Sequence, residues 1–170
     1  PIALFAGFWH QQGAWFREAD GPPDAGIDII KSYYRSLRAY KFNALGGSQP
    51  LPLARLRPGH RLEDFSQYHE LLRYALNDLR FTAFQIHKLK GWESVGAPLG
   101  AFTRQAHFFY PLYAEYLRRH GWEKRALNYL VDEPRPDQRE AVVQAFALAK
   151  SLAPGIRTLS AGWNAPPQFA

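Results

Sequence analysis

Two carboxylates stand side by side where a hydrophobic run stops. In ALNYLVDEPRPDQREAV, Ala126 to Val142, apolar residues give way to Asp132 and Glu133, and Pro134 follows. Two such groups in a cleft repel one another, so one pKa should rise and that acid can protonate a leaving group near neutral pH. Two plainer readings compete, a helix cap and a solvated loop. The next helix offers a capping box of its own in Asp137 and Glu140, which leaves Asp132 and Glu133 spare. In ordinary glycosidases the two carboxyls flank the scissile bond, roughly 5 to 9.5 Å apart. Sequence neighbours suit a substrate-assisted route better. There the sugar's 2-acetamido oxygen attacks the anomeric carbon, one acid protonates the leaving oxygen, and the other orients the acetamido group. Pro134 is expected to bias Glu133 toward an extended backbone.

Other groups fall where strands should end. Trp9, His10, His87, Trp163 and Asn164 are candidate substrate-binding residues. Each has a plain alternative: a tryptophan can close a core, a histidine can be a hydrogen-bonded packing residue, and Asn164 can cap a turn. His10 and His87 could join the acids around a metal, but no HExxH or similar spacing is present, so neither a metal nor a cofactor is expected.

The elements that must position these groups follow from periodicity. Strands are predicted over Ile2–Trp9, Asn43–Gly46, Arg80–His87, Arg125–Val131 and Ile156–Ser160. Helices are predicted over Asp28–Tyr40, Leu62–Leu79, Thr103–His120 and Asp137–Leu152. Pro111 should kink the third helix or mark its start, and Gly121 is placed to end it. Ile29, Ile30, Tyr33, Tyr34, Leu37 and Tyr40 form the apolar face expected of the first helix. Strands alternating with helices imply parallel strands joined by crossovers. No GxGxxG or P-loop string follows the first strand, which leaves a nucleotide fold unsupported; an open doubly wound sheet and part of a (β/α)₈ barrel remain. The predicted strand-to-helix loops are long and the helix-to-strand loops short, as in a (β/α)₈ barrel, whose active site gathers at the C-terminal strand ends. A full barrel needs about 250 residues. The expectation is therefore a TIM-type partial barrel of about five strands and four helices over residues 1–170, with the rest of the barrel and other domains elsewhere in a longer chain.

Composition narrows the partners. With 46% apolar residues the chain is globular, and with no cysteine it has neither disulfides nor thiol chemistry. No apolar run reaches the length of a membrane span. The net charge is +6, but Arg and Lys are scattered and not interleaved with aromatics, so no nucleic-acid partner is expected. No leader is visible at Pro1, which reads as an internal start; compartment is left open, with an upstream leader making the protein secreted or periplasmic.

YAEYLRRHGWEKRALNYLVDEPRPDQREAVVQAFALAKSLAPGIRTL, Tyr113 to Leu159, resembles the catalytic core of glycoside hydrolase family 123. The shared pattern is a helix, a Gly-Trp, a strand ending in Asp-Glu-Pro, a helix closing on Ala-Pro, and another strand. IIKSYYRSLRAYKFNAL resembles that family's early helix and following strand. The resemblance implies a (β/α)₈ barrel and a retaining β-N-acetylgalactosaminidase-like mechanism. It implies Glu133 as general acid/base and Asp132 as the residue that polarises the acetamido group. The expected partner is a carbohydrate or glycoconjugate. The alternatives are a non-catalytic carbohydrate-binding barrel, and a polyanion-binding module resting on the +6 charge alone.

Overall fold

The computed structural model describes residues 25–43, 61–62, 66–86, 89 and 100–161. The chain divides into two compact units, Pro1–His87 and Lys88–Ala170.

In the first unit, helix α1 spans Ala25–Ala39 and helix α2 spans Ser66–Arg73. The α2 rod continues as a π turn, Tyr74–Asp78, closed by the bond from Leu79 N to Tyr74 O at 2.9 Å. A short strand β1, Phe84–Gln85, follows. Helix α1 buries Ile27, Ile30, Tyr34 and Leu37, a spacing of three and four residues that sets one stripe inward. The stripe is narrower than the sequence suggests: Ile29 and Tyr40 are exposed. Helix α2 and its π turn bury Tyr68, Leu71, Leu72, Ala75 and Leu76.

A ladder joins the two helices. Lys31 pairs with Glu70, Arg35 donates to the Tyr74 hydroxyl at 3.3 Å, and Arg38 Nε donates to the Leu79 carbonyl at 2.8 Å. Partners rise together along both helices, so α1 and α2 run parallel. Beyond them, buried Asn43 accepts from Thr82 N at 2.9 Å, Thr82 Oγ1 at 3.2 Å and Ala83 N at 3.3 Å.

The second unit reads helix α3 (Gly100–Arg119), strand β2 (Ala126–Asp132), helix α4 (Arg139–Leu152) and strand β3 (Arg157–Ala161). β2 and β3 pair in parallel, and α4 is the crossover that parallel pairing requires. Helix α3 buries Phe102, Ala106, Phe109, Tyr110, Tyr113, Tyr116 and Leu117, a run of rings extended by Tyr116 against Trp122 at 5.8 Å. Pro111 lies inside α3 and is exposed; it neither starts nor ends the helix. Gly121 ends α3 in the left-handed conformation, φ 70°, with Trp122 N returning to Leu117 O at 2.8 Å. Opposite α3, β2 contributes Ala126, Leu130 and Val131, and α4 contributes Val142, Ala145, Phe146 and Ala149.

The (β/α)₈ expectation is overturned. The described residues hold four α-helices and three strands, with 66% helix, which is a small α/β fold and not a barrel. Alternation of strand and helix is shared by every α/β fold, so it could not distinguish a barrel from a small sheet. The strand predicted at Arg80–His87 is reduced to Phe84–Gln85 because the preceding rod runs through its π turn and ends on a left-handed Arg80, φ 55°. The strand predicted at Ile2–Trp9 lies outside the described residues. So does that at Asn43–Gly46, apart from Asn43.

Candidate functional site

Strand β2 is apolar until its last residue, Asp132, and Glu133 follows directly. Two irregularities bracket that point. First, the pairing of β2 with β3 runs Tyr129 to Leu159 and then Val131 to Ser160, so Leu130 is an extra residue in a bulge. A bulge breaks the alternation of side chains and re-aims those beyond it, here Val131. Second, Glu133 has φ 43°, in the left-handed region. A non-glycine residue there carries roughly 1–2 kcal/mol of steric cost. The expectation that Pro134 holds Glu133 extended is therefore not met; the chain turns sharply at the acid itself.

The Glu133 side chain is exposed and makes no hydrogen bond or ion pair with a described residue. It does not cap the next helix. Asp132 is placed at the end of β2, opposite Ala161 of β3, by its backbone; its side chain lies outside the described residues.

The cap on the following helix differs from the predicted Asp137–Glu140 box. A 3₁₀ turn, Pro136–Gln138, precedes α4. Arg135 N donates to Gln138 Oε1 at 2.9 Å, and Gln138 N returns to the Arg135 carbonyl at 3.0 Å. Asp137 instead accepts from Arg135 Nε at 3.2 Å, both side chains being exposed. That reciprocal pair caps the 3₁₀ turn, and α4 itself begins without a side-chain cap bond, so the predicted Asp137–Glu140 box is not formed.

Of the other candidates, Trp9, His10, His87, Trp163 and Asn164 all lie outside the described residues. Among the described residues the candidates are Asp132, by its backbone, and Glu133. Among the described residues, no group of three or more His, Asp or Glu side chains could hold a metal ion, and no helix is long and apolar enough to cross a membrane.

Beneath the acid pair, β2 carries a polar residue that sequence reasoning passed over. Asn128 is 2% exposed, and its Nδ2 donates to the Tyr110 hydroxyl of α3 at 3.1 Å. Its Oδ1 is buried without a hydrogen-bond partner. Burial pushes the Tyr110 phenol up to about 12, against a smaller opposing effect of the Asn128 hydrogen bond. The signal was visible as one asparagine inside the apolar run ALNYLV. No family model and no curated protein sequence matches the chain.

Proposed function

We propose that this chain is a carbohydrate-active domain that hydrolyses β-linked 2-acetamido sugars, with Asp132 and Glu133 as its acid pair. One observation carries the reading: an exposed glutamate, without a hydrogen bond or ion pair to any described residue, held in a left-handed backbone just past the C-terminal end of a parallel strand. Strain of this kind clusters at functional sites. In open α/β sheets, ligands bind outside the carboxyl ends of the strands, so no closed barrel is needed. The likeness of Tyr113–Leu159 to glycoside hydrolase family 123 supports the same reading.

In this mechanism Glu133 protonates the glycosidic oxygen as general acid, then takes a proton from water as general base. Asp132 orients the 2-acetamido group, whose oxygen closes on the anomeric carbon, and stabilises the positive charge that develops on it.

A second reading, carbohydrate binding without catalysis, draws on the exposure of Glu133 to solvent. Aryl β-N-acetylgalactosaminide, β-N-acetylglucosaminide and unsubstituted β-galactoside separate the two. Hydrolysis of an acetamido substrate but not of the plain galactoside is expected. Binding of all three without turnover of any would favour the binding domain.

A further inference from the structure

Three helices pass into a left-handed residue at their C-terminal ends: Lys41 (φ 62°) after α1, Arg80 (φ 55°) after the α2 rod, and Gly121 (φ 70°) after α3. In each case the next N–H turns back onto the helix, from Phe42 to Leu37 O at 2.9 Å, Phe81 to Ala75 O at 3.0 Å, and Trp122 to Leu117 O at 2.8 Å. Glycine adopts this conformation without steric cost, whereas any side chain is strained there. Helix α3 uses glycine, and the two helices of the first unit place a cation instead. A cation near a helix C-terminus is favoured by the helix dipole, and Arg38 already occupies the last turn of α1, so Lys41 is additional to it; the π turn that ends the α2 rod holds no basic residue, and Arg80 directly follows its closing residue, Leu79. Lys41 and Arg80 are both exposed, and neither makes a hydrogen bond or ion pair through its side chain with a described residue.

The two ends lie side by side. Arg38 reaches the carbonyl of Leu79, the residue before Arg80. Asn43, two residues past Lys41, binds the amide of Thr82, two residues past Arg80. Tyr40, between Arg38 and Lys41, is 75% exposed. The sequence holds no acid from residue 29 to 62 or from 79 to 92. Asp78, the acid closest in sequence to Arg80, is matched by Arg73 at 3.1 Å.

We propose that Arg38, Tyr40, Lys41 and Arg80 form a binding site for an anionic saccharide, a sugar chain bearing sulfate or carboxylate groups. The cations meet the anionic substituents, and the tyrosine ring offers a face for the apolar C–H side of a sugar. A single nucleic-acid strand is a poorer fit, because such grooves stack successive bases on several rings and the described residues of this patch offer one exposed ring, Tyr40. The site needs no turnover, so it stands or falls apart from the chemistry of Asp132 and Glu133.

The test is titration calorimetry of the whole chain with a size-defined heparin oligosaccharide, across a range of salt. A neutral chito-oligosaccharide and an oligo-dT of equal length serve as comparisons. Salt-sensitive binding that is tightest for the heparin oligosaccharide is expected. The double variant Lys41→Gly/Arg80→Gly keeps or raises the thermal midpoint, because glycine relieves both backbones, and weakens binding about tenfold or more. Lys41→Asn/Arg80→Asn, also tolerant of the left-handed region, gives the same loss. Tyr40→Ala weakens binding and Tyr40→Phe restores it. Lys124→Ala/Lys150→Ala removes the same charge from exposed positions of the second unit and leaves binding unchanged. Tighter binding of oligo-dT, no saccharide binding, or an equal loss in the Lys124/Lys150 variant would overturn the proposal.

Discussion

Glu133 sits where a glycine would cost less, and its exposed side chain makes no hydrogen bond or ion pair with a described residue. A residue selected for stability alone would not be placed so. Glu133→Gly should therefore stabilise the fold by about 0.5–1 kcal/mol, as relief of steric strain outweighs the entropy of the added glycine. Urea unfolding measures this, and a lower midpoint in the variant would show that the left-handed backbone is not strained. That two acids close the apolar run of β2 was legible in the sequence from residue type and position; the predicted Asp137–Glu140 cap on the next helix was not what formed. The backbone at Glu133 was not legible. Pro134 restricts the residue before it, and from that restriction an extended chain was the natural expectation. The Leu130 bulge likewise leaves no trace in ALNYLV, since it is a property of two strands in register.

Among the elements, α3 and β2 share the polar contact in the second unit's core that most invites measurement. Tyr110→Phe removes the hydroxyl that Asn128 Nδ2 meets and leaves a buried amide with neither end satisfied, at a cost of about 1–3 kcal/mol. Asn128→Leu removes the orphaned Oδ1 as well, so Tyr110→Phe/Asn128→Leu should be less destabilised than the sum of the single variants. A coupling of about 0.5 kcal/mol or more in a double-mutant cycle is expected; additive losses would mean that the two side chains do not act as a pair. Periodicity found all four helices to within a few residues, because a buried stripe such as Ile30, Tyr34 and Leu37 repeats at the helical spacing. It misjudged where α2 gives way to the π turn and where α4 begins. Those points depend on single hydrogen bonds, Leu79 N to Tyr74 O and Arg135 N to Gln138 Oε1, and not on repeating patterns.

For the molecule as a whole, buried phenols set an alkaline limit. An unfolded tyrosine loses its proton near pH 10, whereas burial holds that of Tyr110 until about 12 and raises that of Tyr113 as well. Below pH 10 both states are protonated and stability is intact. Above it the unfolded chain ionises first, so stability falls between about pH 10 and 12. Urea midpoints taken across that range should drop, and drop less steeply in Tyr110→Phe; a flat profile would contradict this. Strand–helix alternation gave the α/β class, but the barrel inferred from it did not hold, because Arg80–His87 mostly serves to leave a helix and not to build a sheet. The proposed chemistry depends on the strained acid after β2. Glu133→Gln and Asp132→Asn, each assayed on an activated aryl β-N-acetylgalactosaminide and on one with a poor leaving group, test this directly. Glu133→Gln should slow the poor leaving group by about 10²-fold or more and the activated substrate far less, because a good leaving group needs little protonation, while Asp132→Asn slows both alike. Near-normal rates in both variants on both substrates would exclude Asp132 and Glu133 from the chemistry and return them to an ordinary loop.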